Sequence, residues 1–441
     1  MIQLIRGVKD ILPGDAELWQ YLEHQASSLF EDFGFKNIRI PIMERTELFS
    51  RSIGEQTDIV EKEMYTFADR GGDMITLRPE ATASIVRSYI QHRMYAVEPV
   101  QKLYTVGPMF RRERPQKGRY RQFYQIDAEV FGVASPLMDS QIIFMLMTLF
   151  SRLKVTDCIA RLNSLGCPEC RPAFKSALSA FLAARQASLC EDCQRRSDKN
   201  PLRVLDCKVP ACRQAMDGAP SIADSLCPEC RRHFDAVMQH LTLMGIPFEI
   251  DKNLVRGLDY YTRTAFEIQT TLLGAQSAVA GGGRYDGLVK MLGGPDTPAI
   301  GFAIGMDRLA EIVALHLGDF SRRPQLFIAA LGSACQTLAF EWVNRLNTEG
   351  IYAEMDMADR GLKSQMKQAD RQGAAHVAII GDSEMAAGQV LIRDMATREQ
   401  TAVPLETFTE YIVTRFDGLV KSRISDDFVK CSQARRANPE E

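Results

Sequence analysis

The sequence predicts an α+β protein: a largely antiparallel sheet flanked by helices, a Cys-rich insertion, and a small α/β domain toward the C-terminus. Three observations carry that reading. Residues 121–131 alternate in character with the period of a strand. Eight of the eleven cysteines fall between Gly166 and His233, and β-type patterning resumes only at Pro247. Beyond the SRRP segment at 321–324, short apolar runs alternate with helical stretches as β-α-β-α-β. The expected division is a main domain in two parts, 1–165 and 246–322, interrupted by an insertion at 166–245. An α/β domain follows at 323–422, then a polar tail at 423–441 that should fray.

The elements follow in order. Residues 15–34 carry a helical pattern ending at Gly34, and the strand pattern of 35–40 stops at Pro41. Strands and turns alternate up to Arg78, and a helix runs from about Glu80 to Met94. Strands at 102–107 and 121–131 flank a cationic loop, and an apolar helix spans 138–153. With 46% hydrophobic and 25% charged residues, the composition is that of an ordinary globular protein. A net charge of −3 excludes a global basic field, so contact with nucleic acid must come from local patches. The opening MIQLIRGVKDILPGD is too polar for a secretory signal, and no apolar run reaches about 18 residues, so a cytoplasmic location with no membrane partner is expected. In a reducing compartment the cysteines read as metal ligands or buried thiols before disulfides.

The chemistry concentrates in 110–131. Six Lys/Arg and one acid, Glu113, lie between Arg111 and Arg121, a loop suited to phosphate. Behind it, Gln122, Tyr124, Ile126, Ala128 and Val130 share one mostly apolar face; Arg121, Phe123, Gln125, Asp127 and Glu129 share the other. A strand has little structural reason to collect that second set, which reads as the floor of a polar ligand site. Arg111 and Arg121 would either bracket a nucleotide α-phosphate or belong to a solvated charged hairpin, and Phe123 would either pack as core or support an adenine ring. Gln125 and Glu129 would hold an ammonium or an imidazole N–H. At RPEAT (78–82), Glu80 and Thr82 open a helix, where an acid complements the dipole without any ligand. RGLDYY (256–261) joins Arg256 to Tyr260 and Tyr261, expected on opposite faces of a strand. Gly281–Gly283 fits neither a P-loop nor a dinucleotide fingerprint, and such glycines mainly permit close approach. Arg308 opens the last helix of the main domain against its dipole, a cost that an anion nearby would offset. No histidine lies in these motifs and no nucleophile elbow is present. The site suits chemistry run by positioning and electrostatic stabilisation of phosphorus.

Together these motifs resemble the class II histidyl-tRNA synthetases over nearly the whole chain. The likeness rests on RGVKDILP at 6–13, Pro41 after the first strand, FRRER at 110–114, RGLDYY at 256–261, GGGRYDG at 281–287 and GMDRL at 305–309. It implies a class II antiparallel-sheet catalytic domain, a homodimer through the Pro41 region and a C-terminal anticodon-binding α/β domain. It also implies a two-step reaction of L-histidine, ATP with Mg2+, and tRNA(His). Glu80, Thr82 and Gln125 would hold the ammonium, and Glu129, Tyr260 and Tyr261 would surround the imidazole. Arg111 and Arg256 would act catalytically, bracing the α-phosphate and carboxylate. Glu113, Arg121 and Phe123 would serve the nucleotide, with Arg308 on its phosphate tail. Arg114, Gln116, Lys117 and Arg119 would meet the tRNA acceptor end.

Two departures stand out. Ala81 replaces the glycine usual in its motif, and the insertion is unusually rich in thiols. Cys167/Cys170, Cys190/Cys193, Cys207/Cys212 and Cys227/Cys230 either form two structural four-thiolate zinc sites or remain reduced thiols. Cys158, Cys335 and Cys431 are isolated. Two further readings remain open: a histidine-binding regulatory subunit of synthetase-like fold without catalysis, and a plain zinc-binding nucleic-acid module.

Overall fold

The computed structural model describes residues 1–54, 57–113, 118–205, 207, 209–273 and 278–423. Two compact units divide between Phe320 and Ser321. The strands of the first unit are β1 (Lys36–Asn37), β2 (Met43–Arg45), β3 (Tyr65–Ala68), β4 (Met74–Leu77), β5 (Gln101–Phe110), β6 (Gln122–Phe131), β7 (Ile159–Ser164), β8 (Phe248–Ile250), β9 (Thr262–Gln269), β10 (Ala278–Arg284) and β11 (Ala299–Gly305). Eight of them form one sheet in the order β1-β5-β6-β11-β10-β9-β7-β8. Its two outer pairs are parallel and the inner ones antiparallel. β2, β4 and β3 make a separate antiparallel sheet.

Period-2 alternation gives the large sheet two different faces. Ile126, Ala128 and Val130 of β6 join Ile300, Phe302 and Ile304 of β11 in the main core. Helix Asp15–Asp32 covers that core with a stripe of Leu18, Trp19, Leu22, Ala26, Leu29 and Phe30, the spacing of one helical face. Each fully buried side chain of this kind contributes about 1.5–3 kcal/mol. Helix Pro136–Arg152 packs on the same face; it begins where Ser135 accepts from the Leu137 N–H at 3.3 Å, with Pro136 in its first turn. The opposite face is left to the site.

The strand expected at 35–40 is only two residues long. Ile38 N still donates to Tyr104 O at 2.8 Å, but the carbonyl of Ile40 is taken by the Arg78 guanidinium at 2.9 Å, and Pro41 has no N–H to continue the ladder. The described part of 166–245 contains helices and no strand: Arg171–Ala183, Glu191–Lys199 and Pro210–Ala215 surround a small core including Phe174, Leu178, Val204 and Ile222. Helix Pro228–Leu243 returns to the main body, placing Phe234, Val237 and Leu241 in its core.

The second unit holds β12 (Leu326–Ala330), β13 (Ala353–Met355), β14 (His376–Ile380), β15 (Gln389–Asp394) and β16 (Gln400–Pro404), in the order β13-β12-β14-β15-β16. The first three are parallel, the expected β-α-β-α-β pattern, and β15 and β16 extend them antiparallel. Of the polar tail, 424–441 lie outside the described residues. Among the described residues no helix is long and apolar enough to cross a membrane.

Candidate active site

The polar face of β6 forms the floor of a cavity in the first unit. β10 and β11 continue that floor, and Arg256, Leu258, Tyr260 and Tyr261, the described flanks of the cationic loop (Arg111, Glu113 and 118–120) and the start of helix Met306–Leu317 complete the lining. Arg111, Arg256 and Arg308, which come from three distant parts of the chain, all line this cavity. Glu80, Thr82, Glu113, Arg119, Phe123, Gln125, Tyr260 and Tyr261 line it with them.

Packing explains several of these positions. Arg111 Nε donates to Pro79 O at 2.9 Å, and its guanidinium lies 5.2 Å from the centre of the Phe123 ring. Glu113 pairs with Arg119 at 3.2 Å. Arg256 pairs with Glu267 at 2.7 Å and lies over Tyr261. A side chain at Gly281 would run into the Arg256 guanidinium, so the glycine on β10 makes room for that arginine. Arg308 Nη1 donates to Ala278 O at 2.8 Å. Glu80 does what its helix-opening position suggested, accepting from the N–H groups of Thr82 and Ala83 at 2.7 and 2.9 Å, while still facing the cavity.

Glu129 lies beneath the lining rather than on it and is 1% exposed. Its carboxylate accepts from the hydroxyls of Thr82 at 2.6 Å and Tyr285 at 2.5 Å, and it occupies space that a side chain at Gly301, its partner on β11, would fill. Burial pushes its pKa up to about 8, with Glu80 adding to the rise and the two hydroxyls opposing it. Burial likewise raises Asp127 well above the ordinary carboxylate range, reinforced by Glu129 and Glu80. Glu80 is raised by burial against its two backbone hydrogen bonds. Gln125 Oε1 and Asp127 Oδ2 are buried with no protein partner, the condition of groups that complete their bonding with a ligand or solvent. The cavity therefore brings three arginines together with buried carboxyls and an amide, and Arg111 interacts electrostatically with both Glu80 and Asp127.

Residues 7–309 match the family profile for histidyl-tRNA synthetase. The chain belongs to the histidyl-tRNA synthetase family. Residues 325–415 match an anticodon-binding domain, the usual companion of that catalytic fold here in the second unit. The chain is 61% identical over 419 residues to the histidine–tRNA ligase of Desulfosudis oleivorans, covering 95% of this chain and 99% of that one. It is 61% identical over 412 residues to that of Desulfatibacillum aliphaticivorans, covering 93% and 98%. Among solved structures, apo histidyl-tRNA synthetase from S. aureus superposes with a TM-score of 0.78 at 37% identity, covering 93% of this chain and 99% of that one. The class II fold, antiparallel sheet with a C-terminal anticodon-binding domain, is thus that of the family.

Some residues named from the sequence lie elsewhere. Arg121 is not on the cavity wall: its backbone N–H bonds Gly7 O and its Nη1 donates to Arg6 O at 3.2 Å, so the N-terminal segment holds it. Arg111 therefore lines the cavity without it. Tyr260 and Tyr261 do not face opposite ways, because β9 starts only at Thr262; freed from strand geometry, both rings face the cavity with centres 4.7 Å apart. Arg114, Gln116 and Lys117 lie outside the described residues. Three contributors escaped the sequence reading: Glu267 holds Arg256, Tyr285 holds Glu129, and Asp307 accepts from the Tyr124 N–H at 3.1 Å. Tyr285 and Asp307 sit inside motifs already singled out, GGGRYDG and GMDRL; nothing marked Glu267.

Proposed function

We propose that this chain is a histidine–tRNA ligase that uses L-histidine, ATP as its magnesium complex, and tRNA(His). The observation that carries this reading is the shared cavity of Arg111, Arg256 and Arg308, which buried carboxyls also line. The arginines suit the triphosphate, Arg308 taking the phosphate tail and Phe123 and Glu113 the adenine. Glu80, Thr82 and Gln125 suit an ammonium, and Tyr260 and Tyr261 suit an imidazole, with Glu129 acting on it from beneath through the hydroxyls of Thr82 and Tyr285. In this reading the amino-acid carboxylate would lie beside the α-phosphate.

A carboxylate oxygen of histidine attacks the α-phosphorus, the bond to the bridging oxygen of the β-phosphate breaks, and pyrophosphate leaves with that electron pair. Arg111 and Arg256 stabilise charge on the α-phosphoryl oxygens as the bond order changes. In the second step the 3′-terminal ribose hydroxyl of tRNA attacks the histidyl carbonyl and AMP departs. Arg119, on the wall and paired with Glu113, is poised at the loop that would meet the acceptor end. A site that hydrogen-bonds imidazole N–H groups rejects isosteres that lack them. ATP–pyrophosphate exchange tests the assignment: histidine should drive it, while glutamine and asparagine should not by a factor of about 10⁴. Exchange absent with histidine would favour the non-catalytic regulatory subunit.

We further propose a homodimer through the Pro41 region. Exposed Ile42, Met43, Phe67 and Met74 lie on or beside the small β2-β4-β3 sheet, an apolar surface that a second copy would cover. Met43→Asp should shift sedimentation from dimer to monomer. A monomeric parent protein would refute the interface.

A further inference from the structure

We infer that the insertion holds two zinc ions in nested four-thiolate sites, and that together they clamp the segment carrying Arg256, Tyr260 and Tyr261. The spacing of the cysteine pairs leaves their partners open; the fold resolves them. Cys167, Cys170, Cys227 and Cys230 gather their sulfurs within 4.8 Å of one another, and so do Cys190, Cys193, Cys207 and Cys212. The outer two pairs thus make one site and the inner two the other. Tetrahedral zinc with Zn–S bonds of about 2.3 Å sets its sulfurs about 3.8 Å apart. Sulfur separations here are 3.5 Å for Cys167–Cys170 and 4.0 Å for both Cys167–Cys227 and Cys190–Cys207. All eight are free thiols, too far apart for disulfides.

The surroundings suit thiolates. Backbone N–H groups point at the sulfurs: Cys227 N to Cys170 Sγ at 3.2 Å and Cys190 N to Cys212 Sγ at 3.1 Å. A zinc ion with four thiolates carries a net charge of −2, and each site has arginine beside it. Arg171 interacts electrostatically with Cys167 and Cys170, Arg263 with Cys230, and Arg196 with Cys193. On binding, the four thiols of each site lose their protons to solvent and the sulfurs take the metal. No redox step is involved.

Both sites grip the same stretch of the cavity wall. At the outer site, the knuckle around Gly166 is bonded to the start of β9: Leu165 N to Arg263 O at 2.6 Å and Arg263 N to Gly166 O at 2.9 Å. Arg171, next after Cys170, donates to the Tyr261 carbonyl. At the inner site, the chain between Cys193 and Cys207 carries Asn200, which donates to Asp259 at 3.0 Å, and Arg203, which donates to the Arg256 carbonyl at 3.3 Å. Residues 256–261 have no strand or helix of their own to hold them. The metal sites supply that hold.

Elemental analysis of the purified full-length chain should find about two zinc ions. Cobalt substitution should give the visible spectrum of tetrahedral sulfur coordination. Cys227→Ser and Cys193→Ser should each remove one ion and leave the other. Zinc of one per chain or less, or iron in its place, would overturn the two-site assignment; if a variant fails to fold, the parent count still decides. The clamp rests on the proposed histidine activation and is read separately, by kinetics of folded variants or of metal-depleted protein. The KM for histidine should rise about tenfold while that for ATP holds. Two zinc ions with an unchanged histidine KM after their removal would sink the clamp, and no exchange even in the zinc-loaded parent would sink the function instead.

Discussion

Arg256→Ala should lower histidine-dependent ATP–pyrophosphate exchange by about 10³-fold, roughly 4 kcal/mol of transition-state stabilisation. The arginine is held for this task by Glu267 at 2.7 Å and the Tyr261 ring, in a niche that Gly281 keeps open. That arrangement gives the guanidinium a fixed direction before substrate arrives, so little reorganisation is left for the transition state. The fold should survive. The residue lies in an irregular segment outside the sheet, and its partner Glu267 keeps 23% side-chain exposure, enough to find water once the cation is gone. Melting temperature should therefore move by only a few degrees, about 1 kcal/mol. Arg256→Lys keeps the charge and loses the planar fork, so it should fall between the two, about 10–100-fold below the parent. Exchange by Arg256→Ala within tenfold of the parent, in a folded protein, would remove this residue from the phosphoryl step.

The legible parts of the molecule were those in which local pattern and burial agree. β6 announced itself because one face enters the core while the other floors a cavity, so its alternation is chemical as well as geometric. Helix Asp15–Asp32 was legible through its apolar stripe. What stayed hidden depends on contacts between residues distant in sequence. Arg121 has the right chemistry for phosphate, yet a carbonyl 115 residues away holds it instead. The two tyrosines were given strand geometry that begins one residue too late to apply to them. Nothing local to Glu267 says that it will face Arg256 on the next segment, and no spacing rule tells which cysteine pairs meet. Asp127 was placed on the right face, but its burial between Glu80 and Glu129 emerged only from the fold.

Glu129→Gln should separate the stability of the empty protein from its use of histidine. The carboxyl has an ordinary value of 4.5 and is pushed up to about 8, first by burial. Between those two pH values the native state keeps a proton that the unfolded chain has released. Stability must then fall as pH rises through that window, and the cost is fully present above about 8. Glutamine keeps the shape, and its amide can face the hydroxyls of Thr82 and Tyr285, but it has no proton to lose. Thermal melts from pH 5 to 9 should show the parent declining more steeply than the variant, with the variant more stable at pH 8.5 by up to a few kcal/mol. Asp127 and Glu80 are raised as well and contribute slope to both proteins, so the difference between the two curves isolates Glu129. Histidine reverses the balance. A histidine ammonium or imidazole N–H in the cavity above the carboxyl favours its anionic form, so histidine should bind with proton release and tighten as pH rises toward 8. Glutamine cannot make that exchange, and the variant's KM for histidine should rise by about 10²-fold, with ATP little affected. A variant that melts with the parent's pH slope, or that keeps the parent's histidine KM, would show that this buried acid serves packing alone.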